Sequence, residues 1–398
     1  MNRRTWIVVV CGGGMLLLVM GIRQTFGLFL PSITEHLNVG REPFSLAMAL
    51  MNLLWGAASP FAGAVADRFG AGRVAVAGGL CYALGLWVMA AAGDTATLIG
   101  AGLLVGLGLS GAGFSVVLGA VGRAAPPERR AQALALATMG GSLGQFLAVP
   151  YTQALLGSFS WVVGLLVLMG TSLLIVPLAA GVREKRAAAT AGGQTLRQAF
   201  DEAKGHRGFW LLTAGFFVCG FHLAFIGLHM PAFLGDLGFR PWLAAAGLML
   251  IGGFNILGTY GFGALGGRFP KKKVLAAIYL ARSAVFLLFL LVPISEVSVL
   301  LFSATMGLLW LGTVPLTSGL VALIFGPAYM SMLYGIVFFS HQVGSFSGAW
   351  LAGYLFDAFG SYELMWWINV ALGLAAAALH WPIVERPVAR LAPAAGAD

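Results

Sequence analysis

Few side chains in this sequence can do chemistry, and those that can stand inside apolar runs. The stretch LLLVMGIRQTFGLFLP at 16–31 carries Arg23 among residues that otherwise suit hydrocarbon. A guanidinium is permanently charged and offers a planar fork of donors that fits a carboxylate in bidentate fashion. His222 and His229 lie in FFVCGFHLAFIGLHMPAFL, seven residues apart, and so share one helical face. His341 and Gln342 stand side by side in GIVFFSHQVGSFSGAWLAGYLFD. With an ordinary pKa of about 6.5, imidazole changes charge near neutrality, so these histidines could complete an anion site or relay a proton. Each could equally be a packed core residue, and Arg23 could be a structural arginine bonded to helix-end carbonyls.

What must position these groups is a set of membrane helices. Hydrophobic residues make up 59% of the chain and charged ones 9%, and the mean hydropathy is +0.91. A bilayer core takes about 20 apolar residues per helix. Such segments are predicted near 6–33, 44–66, 74–92, 95–121, 131–156 and 159–181, and again near 209–234, 242–266, 274–293, 297–325, 331–356 and 364–384. Arg23 then lies roughly 5 Å from the midpoint of the first span at 1.5 Å per residue, too deep to reach either surface comfortably. Its nearest ionisable neighbour in sequence, Glu35, is about three turns away. The opening MNRR imitates a signal peptide, but the apolar run continues to Ile33 and others follow, so an uncleaved first span is expected. Cys11, Cys81 and Cys219 fall within apolar segments with no disulfide or metal-ligand spacing.

Between the two sets of spans, GVREKRAAATAGGQTLRQAFDEAKGHR is the one long polar stretch, suited to a linker with a short amphipathic helix. It divides the chain into 1–181, a linker at 182–207, and 208–398. Lys and Arg collect in one set of loops, as cytoplasmic loops do. Only Arg41 and Arg240 fall in the opposite loops, and Arg23 and Arg282 in the hydrophobic layer. Both termini are therefore expected on the cytoplasmic side, and topology accounts for the net charge of +9 without a nucleic-acid partner.

The halves repeat. GAVADRFGAGRV at 63–74 returns as GALGGRFPKKKV at 263–274; Gly21, Phe26 and Pro31 align with Gly220, Phe225 and Pro231; Gly144 and Phe146 align with Gly344 and Phe346. Parallel repeats about an axis along the membrane normal make a transporter architecture with its substrate at the repeat interface near mid-membrane. Aligning Gly21 with Gly220 sets Arg23 against His222, so two basic groups would approach one site from opposite halves.

GAVADRFGAGRV resembles the signature loop of the major facilitator superfamily, G-x-x-x-D-R-x-G-x-[RK], between helices 2 and 3, and the resemblance extends over the whole chain. It implies an all-α fold of twelve transmembrane helices in two pseudo-symmetric six-helix bundles. It also implies that Gly63, Asp67, Arg68, Gly70 and Arg73 help lock helix 2 against the second half during alternating access. The second copy keeps Arg268 but has Gly267 where the acid should stand. Helices 7 and 11 resemble bacterial relatives of the monocarboxylate porters and oxalate/formate exchangers, which implies a bacterial inner membrane. That family's helix-8 arginine is absent from GGFNILGTYGFG, and the helix-4 arginine of drug/proton antiporters is absent from LLVGLGLSGAGFS.

In the fold so implied, helices 1, 4, 7 and 10 with 2, 5, 8 and 11 line the central cavity. The expected substrate-binding set is therefore Arg23, His222, His229, His341, Gln342, Asn255, Gln145 and Trp310, with Asn52, Trp55, Thr259 and Thr313 as further polar candidates. Arg282, on the peripheral helix 9, reads as structural. All fourteen acids map to loops, termini or helix ends, which disfavours a cation cargo and sodium coupling. A phosphate loop, a G-x-S-x-G turn, H-E-x-x-H and a Cys/His metal cluster are all absent, so no enzyme activity, cofactor or metal is expected. The expectation is a monomeric secondary transporter of a small organic anion, coupled to protons or to a second anion, in contact with the lipid bilayer. An exporter of drug-like or neutral solutes is the alternative, and a channel or receptor the reading from another class.

Overall fold

A computed structural model describes residues 1–39, 41–183 and 194–391. The described residues form helices joined by short turns. The first half contains α1 (Arg3–Gln24), α2 (Phe26–Leu37), α3 (Arg41–Phe69), α4 (Ala71–Ala90), α5 (Thr95–Ala112), α6 (Phe114–Ala124), α7 (Arg130–Ser158), α8 (Trp161–Ser172) and α9 (Ile175–Gly181). The second contains α11 (Arg207–Asp236), α12 (Pro241–Arg268), α13 (Lys271–Leu291), α14 (Glu296–Leu309), α15 (Thr313–Phe325), α16 (Met330–Phe359) and α17 (Glu363–His380), with α10 (Leu196–Lys204) between them.

The pairs α1/α2, α5/α6, α8/α9 and α14/α15 are single crossings interrupted by one to three residues, so the helices make twelve crossings. Eleven of these are long and apolar enough to span a bilayer. The twelfth, α16, has the length at 30 residues but carries His341, Gln342, Ser340, Ser345 and Ser347. The polarity that lowers its hydropathy is the polarity the candidate site uses.

Local chemistry explains where helices start. Asn2 caps α1 through the Thr5 N–H at 2.8 Å, and Asp94 caps α5 through Thr97 at 2.7 Å. Thr195 with Gln198 and Ser295 with Ser298 form capping boxes on α10 and α14. Hydrogen bonds from the Thr97 N–H and hydroxyl favour the charged form of Asp94 and hold its carboxyl below the usual range. The polar linker does contain an amphipathic helix, α10, with Ala199 and Ala203 turned inward. Linker positions 184–193 lie outside the described residues.

The repeat is visible in the packing. Within the first half α1 packs on α7, and a methyl on Gly144 would overlap the Leu17 carbonyl; within the second α11 packs on α16, and a methyl on Gly344 would overlap the Phe217 carbonyl. The two contacts are the same contact displaced by 200 residues. The halves meet along two seams, α3 against α16 and α7 against α12. On the face that carries the described chain ends, backbones touch: Gly63 abuts the Ser331 carbonyl, and Gly335 lies where a Cβ would stand 2.8 Å from Pro60. The first span, predicted to run unbroken from 6 to 33, instead breaks at Thr25, where the hydroxyl and backbone N–H both return to the Ile22 carbonyl.

Candidate functional site

That break sets Arg23 in the last turn of α1. Its Nε and Nη2 donate to Asn52 Oδ1 on α3 at 3.2 and 2.7 Å, and the guanidinium carbon lies 5.2 Å from the centre of the Trp55 ring. Asn52 is held in turn by its own Nδ2, which donates to Met48 O at 2.9 Å. A neutral amide oxygen and an aromatic face orient a guanidinium without cancelling its charge. Among the described residues no carboxylate pairs with Arg23.

From Asn52 the network crosses the seam. Gln342 Nε2 on α16 donates to the Asn52 backbone carbonyl at 3.3 Å, and Gln342 Oε1 accepts from His341 Nδ1 at 3.0 Å. The His341 ring stacks on Phe338 at 5.4 Å between centroids and 10° between planes, while Phe338 meets Trp55 at 4.8 Å. Arg23, Asn52 and Trp55 of one half thus meet Gln342, His341 and Phe338 of the other. Small residues allow the approach: a Cβ on Gly56 would lie 2.5 Å from that of Gln342.

The other two histidines face elsewhere. His222, expected opposite Arg23, is fully buried on the far side of α11; its Nε2 donates to the Asn369 carbonyl of α17 at 3.0 Å and its ring meets Phe286 edge-on. His229 donates from Nε2 to the Ala349 carbonyl at 2.8 Å, with Nδ1 3.3 Å from the Tyr362 hydroxyl. Both stitch the second bundle together. The alignment of Gly21 with Gly220 misdirected the pairing, because contacts repeat at an offset of 200, one residue away, and one residue turns a helical side chain by about 100°.

Asn255 and Trp310 gather at the interruption of span ten, which was predicted to be continuous. Asn255 Oδ1 accepts from the Leu311 N–H and from Thr259 Oγ1, both at 3.0 Å. Arg282 reaches in from α13, donating from Nε and Nη2 to Leu309 O at 3.2 and 2.6 Å and from Nη2 to Trp310 O. Arg282 thus ties off the C-terminal carbonyls of α14, the structural role read from the sequence. Gln145 is half-buried on α7, and among the described residues no hydrogen bond joins it to the Arg23 network.

The signature loop forms a latch between the halves. Asp67 pairs with Arg123 at the end of α6 and accepts backbone N–H groups from the first turn of α16, Ser331 at 3.3 Å and Met332 at 2.8 Å. A carboxylate at a helix N-terminus satisfies orphan donors and opposes the helix dipole. Gly70 has φ +96°, which ends α3 and turns the chain directly into α4. Arg68, Arg73 and Arg268 are exposed at the same face, and Gly267 has open space around it. The latch is therefore one-sided: α3 caps α16, while α7 starts with no side-chain cap.

Two helical bundles that repeat one another, carry bilayer-length apolar helices and meet along two seams have the architecture of a membrane transporter. A family model of the Major Facilitator Superfamily matches residues 13–317, and the chain belongs to that family. It is 33% identical to mouse monocarboxylate transporter 11 over 179 residues, 45% of this chain but only 40% of that one. It is 27% identical to bovine monocarboxylate transporter 13 over 374 residues, 90% of this chain and 84% of the relative. Among solved structures it resembles the family transporter FucP in the outward conformation, with TM-score 0.74 and 16% identity over 95% of this chain and 99% of that one.

One participant in the latch, Arg123, carries no signal in the sequence. Arg123 reads as one more positive residue at a span end, and nothing nearby in sequence pairs it with Asp67. The grouping of Trp55 with Asn255 and of Tyr82 with Arg282, each 200 apart, was available in the repeat but has no identity to mark it.

Proposed function

We propose that this chain is a secondary active transporter that moves a small organic anion, a monocarboxylate, across a bacterial inner membrane by alternating access of its halves, 1–181 and 208–398. The observation that carries the reading is Arg23: a cation held at the seam by a neutral amide and an indole face, in contact with no described carboxylate. The substrate carboxylate supplies the missing charge through the guanidinium fork. The chain Arg23–Asn52–Gln342–His341 then links the site in one half to an ionisable group in the other. Gln145, Asn255 and Trp310 shape the cavity more distantly. His341, whose ring lies at the seam, is the proton relay if uptake is proton-coupled, and anion exchange is the coupling if it is not. The monocarboxylate transporter names of the relatives point the same way.

Purified protein in liposomes loaded with an unlabelled monocarboxylate should accumulate labelled monocarboxylate by counterflow, which a channel cannot do. Simultaneous alkalinisation outside marks proton coupling, and counterflow with no pH change marks anion exchange. One observation favours the second reading, export of drug-like or neutral solutes: an open apolar groove of about 430 Å³ runs along α12 where it meets α7 and α14, lined by Phe146, Trp242, Met249 and Leu257 among others. Counterflow of a lipophilic neutral solute, with carboxylates inert, selects that reading.

A further inference from the structure

The interruptions of spans four and ten are repeat partners built from different chemistry. In the first half Trp55 fills the break at Gly113, where a Cβ would stand 3.3 Å from its Nε1, and Tyr82 donates to Val19 O at 3.3 Å. At the positions 200 residues on stand Asn255, Thr313 and Arg282. An indole and a phenol have become an amide and a guanidinium, both fully buried.

These groups do not satisfy one another. Arg282 spends Nε and Nη2 on the Leu309 and Trp310 carbonyls, but its Nη1 has no partner among the described residues. Asn255 spends Oδ1 on Leu311 N–H and Thr259, but its Nδ2 has none. Both orphans are donors, both are attached to groups bonded to the same three-residue interruption, and α15 begins there with no side-chain cap. The α14 carbonyls offset part of the Arg282 charge, while the positive end of the α15 dipole adds to it. No carboxylate pairs with Arg282 among the described residues. The ionisable neighbours are the Tyr279 ring, 5.4 Å from the guanidinium carbon, the His222 imidazole, and the Cys219 thiol, which lies 3.2 Å from Thr313 Oγ1 and beside His341. A buried cation with surplus donors and an uncapped helix N-terminus calls for an acceptor that carries negative charge.

We propose that the break in span ten is a binding site for a compact monovalent anion, a halide or a single carboxylate group, held by Arg282 Nη1, Asn255 Nδ2 and the start of α15. It is distinct from the Arg23 guanidinium, borders that residue's network through Cys219 and His341, and needs no assumption about the transported substrate.

The test is thermal unfolding of the purified full-length protein in detergent, exchanged into gluconate and titrated with chloride, bromide or formate. The midpoint should rise saturably by several degrees, since a ligand of the native state stabilises it by mass action. Halides acting alone identify an inorganic ion, and formate acting alone identifies a carboxylate. Asn255→Leu and Arg282→Met should lose the response, and Asn255→Asp, which builds the anion into the chain, should be stable and insensitive. Where Arg282→Met does not fold, the two Asn255 variants decide. Cys219→Ala should respond as wild type. Curves for all salts that superimpose, a response retained in Asn255→Leu, or one lost only in Cys219→Ala, overturns the proposal.

Discussion

Asp67 on α3 accepts the backbone N–H of Met332 on α16 at 2.8 Å, so the acid of the signature loop caps a helix belonging to the other half of the molecule. The same carboxylate pairs with Arg123, whose Nη1 also donates to Ser331 Oγ at 3.2 Å. Three elements, α3, α6 and α16, are fastened at one corner. The repeat offers no second copy, because Gly267 stands in the acid's place.

Asp67→Asn keeps the shape and removes the charge. Charge-assisted hydrogen bonds are worth about 1.5–3 kcal/mol, so the closed seam should lose about that much against the alternative state. A spin-label pair spanning the α3 and α16 ends at this face should broaden toward longer distances. An unchanged distance distribution would contradict the latch.

Gly63 lies against the Ser331 carbonyl with no room for a side chain. Gly63→Val should prevent this seam from closing while leaving each bundle folded, because the overlap is between the halves. Transport should fall at least tenfold with insertion unchanged, and a disulfide engineered across the α3–α16 seam should fail to form. Gly267→Val, in open space, is the control and should be near neutral.

Asn52→Leu removes the acceptor that orients Arg23 but leaves the charge. Substrate affinity should weaken about tenfold, a loss of about 1.4 kcal/mol, with residual counterflow. A variant as inactive as one lacking the arginine would mean that Asn52 itself contacts substrate.

His206 caps α11, its Nδ1 accepting from the Phe209 N–H at 3.2 Å, with the ring edge-on to Phe325. Burial lowers its pKa below 6.5, and the nearby Glu202 only partly opposes this. Since the folded pKa is depressed, the native state binds fewer protons than the unfolded one below pH 6.5. The contribution is complete above 6.5 and is lost as pH falls toward the folded value. His206→Asn, which caps without titrating, should melt like wild type at pH 7.5 and lose less stability than wild type at pH 5.

How much of this was legible in the sequence follows the physics of each feature. Spans and the repeat are written in hydropathy and in identities at fixed offset, and they survive because membrane depth leaves little latitude. Arg23 was conspicuous for the same reason. Which face of a helix a residue occupies is harder: an alignment one residue out of register pairs His222 with Arg23, whereas the fold turns it toward α17. The breaks beside Arg23 and at 310–312 left no signature, since Thr25 and the Leu311–Gly312 pair read as apolar helix. Asp67 was recognised, but its partners lie over 50 and over 260 residues away, and only the folded chain brings them together.

The central claim is that Arg23 pairs the carboxylate of the transported anion. Its most direct test is counterflow of a labelled monocarboxylate in proteoliposomes containing Arg23→Gln, with Arg23→Lys alongside and folding verified by thermal unfolding. The account predicts no counterflow for Gln and a weakened, higher-KM activity for Lys, which keeps the charge but not the fork. Wild-type counterflow at unchanged apparent affinity in Arg23→Gln would contradict it.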